Sequence, residues 1–224
     1  MKTNRGILFA GQPGTGKTLT LDVIMNQFRG YTRIYATAET LCGRHLIREM
    51  YSVARKLSPA IIVIEDIDTL GASEDDEAYR TPLLGEILTA LNSVEKNDNI
   101  LTIATTNYPD SLDIALRDRP GRFDCRINFD VPDKIAREGI LKHSLKHFKF
   151  KKNEIDMSRL VSATEGFTGA WITELIQTSF SYALRDNTKK PTISNQNLTC
   201  ALKIVKENRN LARKRNEEDN SPMY

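Results

Sequence analysis

Cysteine is scarce in this chain. Cys42, Cys125 and Cys200 are the only three in 224 residues, far apart and odd in number. That spacing excludes a disulfide framework and suits a reducing compartment. Long hydrophobic runs are missing too, since none approaches the roughly 18 residues that a membrane span needs. No charged-then-apolar leader opens the sequence, so no secretory signal is expected. Nor is there an excess of one charge: 32 basic residues face 29 acidic ones, for a formal net charge of +3. So even a balance leaves no electrostatic footprint for nucleic acid or a membrane surface. With 40% hydrophobic and 27% charged residues, the chain can bury a real core beneath an ordinary polar surface. Its length holds one domain of usual size, or a larger and a smaller lobe. A cytoplasmic protein is the expectation.

Against that plain background one stretch stands out, Gly11-Gln12-Pro13-Gly14-Thr15-Gly16-Lys17-Thr18. It fits the phosphate-binding pattern of Gly, four residues and Gly-Lys-Thr. An apolar run, Ile7 to Ala10, enters the loop, and a helical pattern through Leu21, Ile24, Met25 and Phe28 leaves it. Glycines let the backbone curl so that successive N–H groups point at a phosphate, and the following helix aims its positive end at the same place. Lys17 would reach the β- and γ-phosphates of a bound nucleotide, and the Thr18 hydroxyl would ligate Mg²⁺. The nucleotide-contacting set is therefore Gly11, Pro13, Gly14, Thr15, Gly16, Lys17, Thr18 and Leu19.

Four further strands are expected, at Arg33–Thr37, Ala60–Glu65, Ile100–Thr105 and Cys125–Phe129. The second and third are almost continuously apolar, which is how strands read when both faces of a parallel sheet are covered. Helical patterns lie between them, one through Leu46, Ile47, Met50, Val53, Ala54 and Leu57, and another from Leu83 to Leu91 behind Pro82. After Val131-Pro132-Asp133 only helical patterns follow: 135–148, 155–164, 168–185 and 194–206. Gly166 and Thr168 read as a helix stop followed by a helix cap. The expected fold class is α/β: a P-loop, doubly wound, parallel five-stranded sheet with a small all-helical lid domain at the C-terminus. The corresponding division is 1–133 for the α/β part, 134–206 for the lid and 207–224 for a flexible charged tail.

The strand Ile61-Ile62-Val63-Ile64 ends in Glu65-Asp66. Two adjacent carboxylates at the end of a buried strand are costly unless cations satisfy them. Asp68 is a third acid nearby and reads as a cap or a surface residue. Hydrolysis needs such a metal organiser and a group that orients the attacking water.

With Thr105-Thr106-Asn107, Leu112-Asp113-Ile114-Ala115-Leu116 and Arg119-Pro120-Gly121-Arg122-Phe123-Asp124 added, the chain resembles the AAA+ ATPases. More narrowly it resembles the AAA family, from about Arg5 to Lys206. The resemblance implies that Asn107 is sensor 1, placing the water beside the γ-phosphate. It implies that Arg119 and Arg122 are arginine fingers reaching a neighbouring subunit's site, and hence a homo-oligomeric ring, usually a hexamer. Gly169-Ala170 matches the pair that replaces the sensor 2 arginine of other clades, and the resemblance implies that both join the nucleotide-contacting set.

Three departures from the family pattern matter. The usual acidic order is Asp then Glu, whereas here Glu65 takes the metal-organising place, acting through water, and the shorter Asp66 takes the water-activating place. A retraction of about an ångström can cost ~10²-fold, so a slow but working ATPase is expected. The stretch Ala38 to Arg44 carries no aromatic residue of the kind that threading members use, which speaks against threading by that grip and leaves remodelling of a folded complex, or another grip, open. Only Met1 to Arg5 precede the first strand, so a truncated chain and a loosely held base both stay open.

Two rival functions remain at this stage, a nucleic-acid-acting motor or loader and an ATP-gated scaffold with little hydrolysis. Balanced charge and Gly169-Ala170 weigh against the first, and the Glu65-Asp66 order motivates the second. Weaker signals have plainer explanations. His143 and His147 lack a third ligand among surrounding lysines, Trp171 and Phe167 suit packing, and Glu74-Asp75-Asp76-Glu77 suits a solvated loop.

Overall fold

The computed structural model describes residues 5–41, 44–69, 86–87, 89–91, 97–108, 123–150 and 154–219. Arg119, Arg122, the start of the helix expected from Leu83 and the acidic run from Glu74 to Glu77 lie outside the described residues. The chain divides into two compact units, Met1–Asp130 and Val131–Tyr224.

The first unit alternates strands and helices. β1 spans Arg5–Ala10, α1 Lys17–Gln27, β2 Thr32–Thr37, α2 Arg44–Lys56, β3 Ala60–Glu65, β4 Ile100–Thr106 and β5 Phe123–Asn128. Single 3₁₀ turns follow β2 at Ala38–Leu41 and β3 at Ile67–Thr69. The strands form one sheet in the order β2-β3-β4-β1-β5, and every neighbouring pair is parallel. This is the five-stranded parallel sheet that the apolar runs imply.

Burial explains why β3 reads as unbroken hydrophobic sequence. Ala60, Ile62 and Ile64 pack with Ile47, Met50, Tyr51 and Ala54 of α2, while Ile61 and Val63 pack with Phe9, Leu21 and Ile103 on the other side. Successive residues point to opposite faces and both faces are covered, so each position from 60 to 64 favours an apolar side chain. Each such side chain removed from water contributes about 1.5–3 kcal/mol. The strand therefore carries its own registration, and its carboxyl end brings Glu65 out level with Thr37 of β2.

The second unit contains α3 (Lys134–Leu145), α4 (Met157–Ala163), α5 (Gly169–Asp186) and α6 (Asn195–Asp219). Leu141, Leu145, Phe167, Ile172, Leu175, Ile176, Leu198 and Val205 form its core. Asp133 and Asp156 cap α3 and α4 by accepting from Ala136 N and Arg159 N. Ser194 and Asn197 bond reciprocally at the start of α6. Gly166 is left-handed at φ +71, as a helix stop requires. Thr168 holds the cap position of α5, but its hydroxyl makes no capping bond.

The end of α6 differs from the sequence expectation. The helix continues to Asp219, through most of the span read as a flexible charged tail. Its anchor is Arg209, whose guanidinium donates to the Gly166 carbonyl at 2.7 Å and lies over the Phe167 ring. A periodic apolar pattern cannot register a single charged side chain packing in this way.

Candidate nucleotide-binding site

The loop between β1 and α1 is shaped by close approach and by backbone handedness. A Cβ on Gly11 would sit 2.3 Å from the Phe129 carbonyl oxygen, a main-chain atom that cannot swing aside. Gly14 at φ +76 and Gly16 at φ +106 take conformations that other residues adopt only with strain. Thr15 braces the turn by donating to the Gln12 carbonyl at 2.8 Å. Gly16 caps α1 without a side chain, and the first helical turn holds no acidic residue. The opening amides of α1 are thus left for an anion rather than for an internal cap.

Lys17 is buried, and its ammonium meets three oxygens. It donates to Gly11 O at 2.6 Å, to Gln12 O at 3.1 Å and to Asn107 Oδ1 at 2.8 Å. The other end of the Asn107 amide donates from Nδ2 to Asp66 Oδ1 at 3.0 Å. One side chain thereby joins the cation of the loop to the carboxylate that follows β3. Two main-chain bonds hold the frame: Asp66 N donates to Thr105 Oγ1, and Asn107 N donates to Asp68 Oδ1, both at 3.0 Å. These groups meet because β1, β3 and β4 are parallel and end at one edge of the sheet.

The electrostatics follow from that crowding. Burial raises the Asp66 carboxyl above its usual range, and the negative Asp68 and Glu65 raise it further against the pull of Lys17 and the Asn107 amide. Burial lowers the Lys17 ammonium, while Asp66, Asp68 and Glu65 oppose the change. The Tyr35 phenol is pushed up by burial and then by the Glu65 carboxylate with which it hydrogen-bonds.

Two observations test the site against its expected occupants. Glu65 Oε1 is buried and finds no hydrogen-bond partner among the described residues. A buried carboxylate oxygen of that kind suits a hard cation with oxygen ligands, and the exposed Thr18 can supply a second oxygen. The curled loop and uncapped helix start suit a polyphosphate. The donor set fits Mg²⁺ and a nucleoside triphosphate.

Not every expected residue is gathered here. Pro13, Thr18 and Leu19 lie on the loop and the first turn of α1, all exposed. Arg119 and Arg122 are outside the described residues. Gly169 and Ala170 open α5 in the second unit. Conversely, the sequence reading gave Thr105 no role and placed Asp68 as a cap or surface residue. Each bonds across a sequence separation of 39, which no local pattern encodes.

Comparison with known proteins agrees with this geometry. Residues 7–131 match the family described as "ATPase family associated with various cellular activities (AAA)". The chain is 36% identical over 195 residues to the ATP-dependent zinc metalloprotease FtsH of Marinobacter nauticus, covering 82% of this chain and 30% of that protein. It is 34% identical over 197 residues to the mitochondrial inner membrane i-AAA protease supercomplex subunit YME1 of Saccharomyces cerevisiae, covering 83% and 26%. It is 32% identical over 220 residues to the proteasome-activating nucleotidase of Methanocella arvoryzae, covering 93% and 52%. This chain thus spans between a quarter and about half the length of these relatives. Among the described residues no helix is long and apolar enough to cross a membrane. A phosphate loop closed by its own lysine, an acid pair ending a buried strand and a family match over 7–131 lead to one assignment: the chain belongs to the AAA family and carries its ATPase domain.

Proposed function

We propose that this chain hydrolyses ATP with Mg²⁺ in a homo-oligomeric ring, a hexamer, and couples turnover to remodelling or disassembly of a protein partner. The observation that carries the proposal is the Asn107 amide, which touches both Lys17 and Asp66. In this reading the main-chain N–H groups from Gly14 to Thr18 and the Lys17 ammonium hold the phosphates, with Gly11, Pro13 and Leu19 beside them. The Thr18 hydroxyl and Glu65, the latter through water, would hold the metal. Mg²⁺ supplies neutralisation of charge on the β- and γ-phosphate oxygens when bound. Asn107 orients a water, Asp66 takes its proton as the oxygen attacks the γ-phosphorus, and the bond from that phosphorus to the bridging oxygen breaks, its electron pair leaving on ADP. Arg119 and Arg122 of a neighbouring copy stabilise the transition state, an effect worth about 10³-fold or more.

The relatives' names support a protein partner, since they describe ATP-dependent proteases and a nucleotidase that activates a proteasome. Isolated cysteines support a reducing compartment, the cytoplasm.

Phosphate release measured against protein concentration tests the proposal. The expected result is Mg²⁺-dependent turnover that rises faster than linearly and is lost in Asp66→Asn and in Arg122→Ala. ATP-dependent assembly without phosphate release would favour the scaffold reading, which the Glu65-Asp66 order motivates. Turnover stimulated by DNA or RNA would favour a nucleic-acid motor.

A further inference from the structure

Asn107 lies one residue beyond β4, where the sheet no longer holds it. The ladder between β3 and β4 ends at Ile64 and Ala104, so neither strand's last residues are fixed by that pairing. Two bonds replace it, running crosswise between the ends of the two strands. Asp66 N donates to Thr105 Oγ1, and Asn107 N donates to Asp68 Oδ1. The second comes from a carboxylate on the single 3₁₀ turn after β3, whose position is set by the buried Ile67.

The two kinds of bond at Asn107 differ in what a ligand does to them. Its side-chain oxygen is held by the Lys17 ammonium at 2.8 Å. A phosphate entering the loop competes for that same ammonium, so this support is exchangeable. The main-chain bond to Asp68 uses a different donor, the Asn107 N–H, so displacing the Lys17 ammonium from the side-chain oxygen leaves it in place. Once nucleotide is present, Asp68 acts with the Gly11 N–H, which donates to the adjoining Thr106 carbonyl at 3.2 Å, to keep the Asn107 backbone where its amide can face the γ-phosphate.

We infer that Asp68 is a positioning residue for hydrolysis, acting through the main-chain N–H of Asn107 and not by contact with nucleotide or metal. The inference rests on the nucleotide-site reading above. It differs from a surface or helix-cap role, in which Asp68 could be lost without any effect that depends on Asn107. It also differs from a metal-binding role, in which the charge of Asp68 and not its acceptor oxygen would matter.

Steady-state phosphate release by the full chain, with ATP and Mg²⁺ varied, separates these roles. Asp68→Ala is expected to lower kcat about tenfold or more, the scale of an ångström-level misplacement, while KM for ATP moves less than about threefold. Asp68→Asn keeps an acceptor oxygen without the charge and is expected to recover most of the loss. In an Asn107→Ala background, Asp68→Ala is expected to cause no further loss, as residues acting in series do. A wild-type kcat in Asp68→Ala overturns the inference. So does a multiplicative loss in the double variant, or an Asp68→Asn enzyme as slow as Asp68→Ala. If Asn107→Ala turns over at the wild-type rate, the nucleotide-site reading fails and takes the inference with it. If Asn107→Ala is slow and Asp68→Ala is not, only the inference falls. Should Asp68→Ala not fold, Asp68→Asn decides alone, and a loss above about fivefold in it overturns the inference.

Discussion

The Lys17 ammonium lies 2.8 Å from Asn107 Oδ1, ninety residues away in sequence. With the carbonyls of Gly11 and Gln12 it completes an oxygen cage, so the loop holds its own cation in place before a phosphate arrives. Burial lowers this ammonium despite three acidic neighbours, which means that charge there is costly to the folded chain.

Lys17→Ala should therefore separate binding from stability. Loss of charge-assisted bonds to phosphate, about 1.5–3 kcal/mol, predicts weakening of ATP affinity by roughly 10- to 100-fold. Removing a buried charge offsets the lost cage, so the urea unfolding midpoint should hardly move. Fluorescent-nucleotide titration and denaturation on one preparation check both halves. Unaltered affinity would mean that the cage is only structural.

The acidic pair has a backbone reason for its order. Asp66 sits at φ +51, in the left-handed region, where Asp and Asn are tolerated better than longer side chains. Asp66→Asn should keep the fold and stop turnover, because the amide cannot accept the proton from water. Asp66→Glu restores the usual acid but meets the backbone strain, and it should cost about 1 kcal/mol of stability. Unfolding curves of the two variants test this directly. Equal midpoints for Glu and Asn at 66 would remove the backbone explanation.

Much of this site was legible in the sequence because its signals are local. Ala60–Glu65 reads as a buried strand from its unbroken apolar run, and the structure gives those same limits. The glycines at 14 and 16 announce positive φ, which is where they are found. Asp68 and Thr105 were not legible as site residues, because their partners lie 39 positions away and depend on which strands become neighbours. Parallel order β3-β4-β1 brings them together, and composition says nothing about order.

Tyr51 shows the same dependence on tertiary contact. Its hydroxyl and that of Thr102 are 3.0 Å apart, which ties α2 to β4 inside the core. Tyr51→Phe should cost about 1–2 kcal/mol at pH 8, since Thr102 is left buried without this partner. Burial raises the Tyr51 phenol well above its ordinary value of 10.0, against the weaker pulls of Thr102 and Arg55. Above that ordinary value the unfolded chain releases the proton and the folded chain keeps it, so wild-type stability falls as pH rises. At pH 11 the fall from this group is on the order of 1 kcal/mol. Other tyrosines and lysines titrate alike in both proteins, so the gap between wild type and Tyr51→Phe should narrow by that amount between pH 8 and 11. A constant gap in urea midpoints would show that the phenol titrates normally.

The length of α6 depends on Arg209. Its Nη2 donates to the Gly166 carbonyl at 2.7 Å, and its guanidinium carbon stands 5.1 Å from the Phe167 ring centroid. Gly166 is the left-handed residue between α4 and α5, and a Cβ there would come within 2.9 Å of that same Nη2. Beyond Lys206 the helix is charged and lacks a continuous apolar face, so its isolated helical preference is small. One charge-assisted bond of about 1.5–3 kcal/mol, with a cation–π contact of about 0.5–1 kcal/mol, is enough to hold a few turns. Arg209→Ala should speed amide hydrogen exchange from residue 207 onward by about tenfold or more, while exchange in the buried turns around Leu198 and Ala201 stays slow. Arg209→Lys should restore part of the protection, because an ammonium can reach one carbonyl but stacks less well on an aromatic face. Equal exchange in wild type and Arg209→Ala would assign the extension to the charges along α6 itself.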